Sequence, residues 1–354
     1  MATLPEPLHT TAAAIYKSYE AEADNGNRPH LGASLIGHAC ERYLWLTFRW
    51  VDAKRFDGRL LRLFKAGNDF EPRIVAELRR IGVEVHDVTP DGKQWRVSAV
   101  GGHFGGSLDG AARGFAEAPK TWSVVEFKTH SAKSFADLVK NGVQKSKPQH
   151  FAQMQTYMGL TGMERAMYIA ENKDTSELYT EWVHFDPVEF AKLQARAERV
   201  IGANEPPLKI SNDPSWWTCK LCDFHDHCHG EAAPAVNCRT CAHSTPQLNG
   251  DAVWTCGPSA DADPELTIND QRKGCGGHRY IPILLERFAT QKDYVNGDVV
   301  YETEAGEFAN GDPANGALSS QEILDCAQKV MLADAYRIKC ELMGQGIQSR
   351  VVEC

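Results

Sequence analysis

A chain of 354 residues with 42% hydrophobic and 24% charged residues can build one large core plus a smaller module, and is too apolar to be disordered throughout. Its net charge of −9 argues against a general nucleic-acid coat protein. The sequence holds no run of about 18 apolar residues, and MATLPEPLHT lacks the order of a signal peptide, so a soluble cytoplasmic protein without membrane contact is expected. In chain order, residues 1–30 read as a helix or loose arm closed by the turn-rich ADNGNRPH. GRLLRLFKAGNDFEPRIVAELRRIG predicts one long amphipathic helix, bent near Gly67 or Pro72. Strand-like runs follow in VEVHDV, QWRVSAV, the approach to SLDG, and WSVVEFKT. AKSFADLVKNG and PQHFAQMQTYMGL predict helices, RAMYIAEN and ELYTEWVHF strands, and PVEFAKLQARAERVIGA a further helix. The order implies an α/β fold, a mixed sheet flanked by helices. Beyond residue 230 a cysteine-rich segment takes over to about 282. The rest holds a hairpin-like DYVNGDVVYETEAGEFANGD and a helix over SSQEILDCAQKVMLADAYRI.

Charge is unevenly spread. Arg42 to Arg80 carries ten Lys/Arg against five Asp/Glu, and Lys128 to Lys147 five lysines against one acid. Ile281 to Cys354 reverses this, with twelve acids to six bases. A polyanion would therefore dock on the first half, while residues 283–354 form a small acidic appendage that is a candidate for binding a protein partner.

The sharpest chemistry lies in GGSLDGAARGFAEAPKTWSVVEFKTH. Strand alternation puts Trp122, Val124, Glu126 and Lys128 on one face, and Asp109 closes the preceding run among glycines. Two carboxylates converging in a desolvated place repel each other, and a divalent cation resolves the repulsion. Helical spacing places Glu71 on a face with Phe64, Val75 and Leu78, where a lone acid is expensive unless paired or on a metal. Gln153 and Tyr157 stand one turn apart on a later helix.

The series Glu71, SLDG with Asp109, EFK with Glu126 and Lys128, and QMQTY with Gln153 and Tyr157 resembles the PD-(D/E)XK nucleases, in particular their RecB-like exonuclease branch. The resemblance covers residues 31–230 and departs from the superfamily's name at Leu108, where a proline would stand. It implies a restriction-endonuclease-like core that hydrolyses phosphodiester bonds of DNA with Mg²⁺ or Mn²⁺. Asp109 and Glu126 would be metal ligands, Glu71 an auxiliary ligand, Lys128 the catalytic lysine, and Gln153 and Tyr157 supporting or DNA-contacting residues. The expected substrate is DNA with a free end. A phage or mobile element is the expected source, the host cytoplasm the place, and a recombination protein a candidate partner.

The cysteines cluster at close spacings in a long chain, which favours metal ligation over disulfides. Cys40 and, much later, Cys219, Cys222 and Cys228 flank the core. The resemblance to iron–sulfur RecB-like nucleases implies a [4Fe–4S] cluster on these four, while spacing alone accepts zinc equally. Cys238, Cys241, Cys256 and Cys275 suit a tetrahedral zinc site within 231–282. His243 and His278 lie near enough to substitute for a cysteine but read as surface histidines. Cys326 and Cys340 read as helix residues and Cys354 as a free terminal thiol.

The leading reading is thus a metal-dependent deoxyribonuclease. A catalytically silent DNA-binding scaffold held by metal centres, and a redox- or zinc-linked regulator, are the alternatives from other classes.

Overall fold

The computed structural model describes residues 10–23, 27–52, 55–257, 264–295, 297–326 and 332–351; Cys354 and the middle of the last expected helix lie outside them. In chain order the elements begin with α1 (Thr10–Glu22), β1 (Leu31–Gly32), α2 (Glu41–Phe48), α3 (Gly58–Asn68), α4 (Phe70–Arg80) and β2 (Glu84–His86). There follow β3 (Arg96–Ala99), β4 (Phe104–Ser107), β5 (Gly110–Arg113), β6 (Ser123–His130), α5 (Ala132–Ser146) and α6 (Pro148–Thr161). Next come β7 (Arg165–Asn172), β8 (Leu178–His184), α7 (Pro187–Gly202), α8 (Trp217–Lys220), α9 (His225–His229), β9 (Ser244–Pro246), β10 (Trp254–Cys256) and α10 (Ile268–Lys273). The last elements are β11 (Thr290–Val295), β12 (Asp298–Thr303), β13 (Gly306–Asn310), α11 (Ser320–Cys326) and α12 (Leu332–Gly344). The chain divides into two compact units: Met1–Asn27, Lys54–Ser98 and Gly105–Gln194 make the first, Arg28–Ala53, Ala99–Phe104 and Ala195–Cys354 the second. Among the described residues no helix is long and apolar enough to cross a membrane.

The first unit is built on a five-stranded mixed sheet in the order β2-β5-β6-β7-β8. β6 and β7 run parallel, joined through α5 and α6, and the other pairs are antiparallel. A parallel pair needs such a helical crossover, and β6 reads as its β-branched run SVVEFKTH should. One face of the sheet buries Val125, Phe127, Met167 and Ile169 against Phe70, Ile74, Val75 and Leu78 of α4, whose spacing makes a single helix face. Each such burial is worth roughly 1.5–3 kcal/mol. The other face carries Val124, Glu126, Lys128 and His130 toward α5 and α6. β5 lies outside the expected strands: its Gly-Ala-Ala-Arg has no β-branched residue and is held by its neighbours β2 and β6.

The long helix expected over 58–82 is two helices meeting at Asp69, which ends α3 and opens α4. The break corrects the expected face: Phe64, on α3, is 44% exposed, whereas Val75 and Leu78 are buried on α4. Asp57 caps α3, its side chain accepting the Leu60 N–H at 2.7 Å. Pro148 opens α6, and Gly162, in the left-handed conformation, closes it.

In the second unit, Trp45, Phe48, Trp50 and Trp254 enclose two buried arginines. The Arg239 guanidinium lies 3.7 Å from the Trp50 ring centre and donates to Phe48 O (3.0 Å), Pro29 O (2.9 Å) and Gln271 Oε1 (2.9 Å). The hairpin expected over 293–312 is part of a three-stranded sheet, β11-β12-β13. Its core of Tyr301 and Phe308 packs with Leu285, Leu318 and Ile323. Lys339 Nζ donates to both Glu322 oxygens, at 2.7 and 2.9 Å, pinning α12 to α11.

Candidate active site

Strand alternation delivers Glu126 and Lys128 side by side from β6, and their side chains are in direct contact. Glu126 is fully buried, whereas Lys128 keeps 27% of its side chain exposed. Asp109 sits between β4 and β5, with 11% of its side chain exposed. Its Oδ2 accepts the Phe127 N–H at 2.8 Å and lies 3.9 Å from Lys128 Nζ. Glu71, in the first turn of α4, accepts a 3.4 Å hydrogen bond from Gln94 Nε2.

Burial raises the Glu71 carboxyl to about 7, and Asp109 adds to the rise while Lys128 opposes it. Burial likewise raises Glu126, to about 8, against Lys128 and with the help of Asp109 and Glu71. Burial alone would lower Lys128, but Glu126 and Asp109 outweigh it and hold the ammonium charged. One lysine therefore faces three acids. Glu126 Oε2 is buried and has no hydrogen-bond partner, a costly state for a carboxylate oxygen. An excess of acid with an unpartnered inward oxygen fits a hard divalent cation, and Glu71, Asp109 and Glu126 are the residues that would hold it.

Gln153 and Tyr157 are buried on α6, with Gln153 Nε2 donating to Tyr157 Oη at 3.3 Å and that hydroxyl donating to Ser107 O at 2.8 Å. Gly106 makes this approach possible, since a Cβ there would lie 2.6 Å from Tyr157 Oη. Tyr157 thus ties α6 to the strand leading into Asp109. Sequence reasoning missed a polar cluster beside Lys128. The Tyr168 hydroxyl, from β7, lies 2.9 Å from both His130 Nε2 and His150 Nδ1, and His130 Nδ1 lies 3.2 Å from Ser134 Oγ. Burial, then Lys147 and Lys128, lowers His130 to about 4; burial, then Lys128, lowers His150 to about 3. A signal was present: His130 follows Lys128 by two on the strand, and His150 precedes Gln153 by three on the helix.

In the second unit Cys40 directly precedes α2, Cys219 lies on α8 and Cys228 on α9. With Cys222 they line one cavity of about 20 Å³, together with His38, Arg42 and Lys209. Burial raises the Cys222 thiol to about 11, with Cys228 and Cys40 contributing. Arg42 and Lys209 act against the rise at Cys228. The second set is also gathered: burial, then Cys241, Cys275 and Cys256, raises Cys238 to about 12. The Arg279 N–H points at Cys241 Sγ at 3.5 Å. His278 is buried, not on the surface as expected, and its Nε2 meets Thr240 Oγ1 at 3.1 Å; His243 is half-buried. Cys326 and Cys340 lie on α11 and α12. Among the described residues no three His, Cys, Asp or Glu side chains are drawn close enough to hold a metal ion as they stand. Gathered thiols beside cationic side chains are nevertheless donor sets of the right chemistry for thiolate-bound metal.

No family model matches the chain, and no curated protein matches it. Among solved structures it is similar to the alkaline exonuclease LHK-Exo from Laribacter hongkongensis, at 18% identity over 52% of this chain and 90% of that one, with a TM-score of 0.37. LHK-Exo in complex with dAMP matches at 17% identity, over 53% of this chain and 90% of that one, with a TM-score of 0.37. SSO0001 matches at 16%, over 61% and 94%, with a TM-score of 0.37.

Proposed function

We propose that the chain is a metal-dependent DNA nuclease, an exonuclease that hydrolyses phosphodiester bonds at a free end. The observation that carries this reading is the trio Glu71, Asp109 and Glu126 around one lysine, with a buried Glu126 oxygen left without a partner. A Mg²⁺ or Mn²⁺ ion held by the three acids would supply Lewis-acid polarisation of a phosphate oxygen and a more acidic water. Lys128, held charged between Glu126 and Asp109, would steady the negative charge that builds on the non-bridging phosphate oxygens in an in-line attack. Asp109 is fixed by the Phe127 N–H, and Tyr157 and Gln153 hold the strand before it, so the acids meet substrate already oriented.

The first four cysteines, Cys40, Cys219, Cys222 and Cys228, are proposed as [4Fe–4S] ligands, with zinc as the alternative. Cys238, Cys241, Cys256 and Cys275 are proposed as a zinc site. Both would act as structural staples. A role in recombination or phage DNA metabolism in the cytoplasm completes the proposal.

The test is digestion of end-labelled linear and closed circular DNA with Mg²⁺ or Mn²⁺ by protein purified without oxygen, beside Asp109→Ala. Metal-dependent loss of label from linear DNA only, absent in the variant, is expected. DNA bound but uncut by the wild-type protein would favour the silent scaffold instead.

A further inference from the structure

The second unit buries two guanidinium groups, Arg49 at 1% and Arg239 at 0% exposure, and no carboxylate among the described residues pairs with either. Their hydrogen-bond partners are neutral. Arg49 donates to the carbonyls of Ala203 (3.1 Å), Ser244 (3.3 Å) and Arg239 (3.4 Å), and its buried Nε has no partner. Arg239 donates to two carbonyls and the Gln271 amide oxygen. The Trp254 ring serves both, its centre 5.1 Å from Arg49 and 4.6 Å from Arg239. Carbonyls and ring faces offset only part of the cost of burying two cations. The same contacts reach every segment that carries the second cysteine set. Arg239 stands between Cys238 and Cys241, and Ser244, whose carbonyl Arg49 holds, donates its N–H to Cys241 O at 3.2 Å. Trp254 opens β10, which ends at Cys256. Gln271 lies on α10, just ahead of Cys275, and the adjacent Asp270 O accepts from Cys238 Sγ at 3.4 Å.

We infer that Arg49 and Arg239 are the countercharge of a centre in which Cys238, Cys241, Cys256 and Cys275 all bind one divalent metal as thiolates. A divalent ion on four thiolates leaves two negative charges, and the two guanidinium groups supply two positive ones. Three thiolates and a neutral histidine would leave one cation of the pair unmatched. Burial lowers Arg49 to about 10, and a negatively charged Cys241 opposes that fall. The arginines act through the cysteines and their segments, so they are positioning residues and touch no metal. This fixes the charge and ligand set of the zinc site proposed above and rests on that reading.

The experiment measures zinc affinity of the full chain by competition with a chromophoric chelator, beside zinc content by elemental analysis. Arg49→Gln removes the charge and keeps hydrogen-bond donors, and Arg49→Met removes both. Each is expected to weaken zinc about 30-fold, the effect of one unit charge lost from a partly screened ion pair. Arg49→Lys, which keeps the charge, is expected to retain most of the affinity. Cys256→His takes one negative charge from the centre, so adding it to Arg49→Gln is expected to cost about tenfold less than adding it to the wild type. Strictly additive losses in that pair, or a loss in Arg49→Met that Arg49→Gln does not share, would overturn the charge assignment. Wild-type protein that holds no zinc sinks the zinc reading and this inference with it. Zinc held by the wild type and by every Arg49 variant with equal affinity sinks this inference alone.

Discussion

The acidic site of the first unit and the cysteine sets of the second both crowd groups that repel when ionised, and in both burial raises acids or thiols above their ordinary ranges. Burial leads to different outcomes because the ordinary ionisation ranges differ. A carboxyl raised to about 7, as at Glu71, or to about 8, as at Glu126, ionises at or just above neutral pH, so the metal-free acidic site takes on its surplus charge as pH rises through that range. A thiol raised to about 11 or 12, as at Cys222 and Cys238, stays protonated, and the metal-free protein holds it without charge. A cation entering the first site relieves a repulsion that these acids develop near neutral pH. A metal entering either cysteine set must displace protons, and its binding free energy becomes folding free energy.

The largest test of that contrast is Cys238→Ser. A structural zinc centre is worth on the order of 10 kcal/mol, so the variant should lose one zinc per chain by elemental analysis and lose cooperative unfolding of its unit. Unchanged zinc content would break the comparison. Next, Glu126→Gln should reduce cleavage by on the order of 10²–10³-fold while leaving zinc content as in the wild type, measured by initial rates and the same elemental analysis.

A pH series sharpens the comparison further. The folded-state values of Glu71 and Glu126 lie above the ordinary carboxyl value of 4.5. Their contribution to metal-free stability is therefore full below about 4.5 and is lost as pH rises through about 7 to 8. Mg²⁺ binds the ionised acids, so its effect on Tm should be small at pH 5.5 and grow steadily to pH 8.5, read by thermal unfolding. A flat Mg²⁺ response would mean that these acids do not hold the ion. The smallest effect is expected of Tyr168→Phe, which removes the hydroxyl shared by His130 and His150 and should cost roughly 1–3 kcal/mol in urea unfolding.

The elements around the site were legible because their local signals agree with their surroundings. β6 alternates as a strand should, α6 is bracketed by Pro148 and Gly162, and the pairing of Glu126 with Lys128 follows from a period of two. What was not legible depends on neighbours distant in sequence. β5 has no strand signal of its own and forms because β2 and β6 flank it. The kink at Asp69 turned an apparently continuous helix face into two, leaving Phe64 exposed. The passage of the chain between two units, with residues 28–53 and 99–104 belonging to the second, leaves no periodicity to read. The Tyr168 cluster needs β7 beside β6, a pairing known only after folding.

Asp109 does one more thing by accepting the Phe127 N–H. The last backbone pair between β5 and β6 at that end is Gly110 with Val125, and the Asp109 carboxylate continues the ladder where the main chain has turned away. The Phe127 amide proton is consequently a built-in spectroscopic reporter. It touches the carboxylate through one hydrogen bond and no titrating side chain of its own, so its chemical shift will register any ion that draws electron density from Asp109.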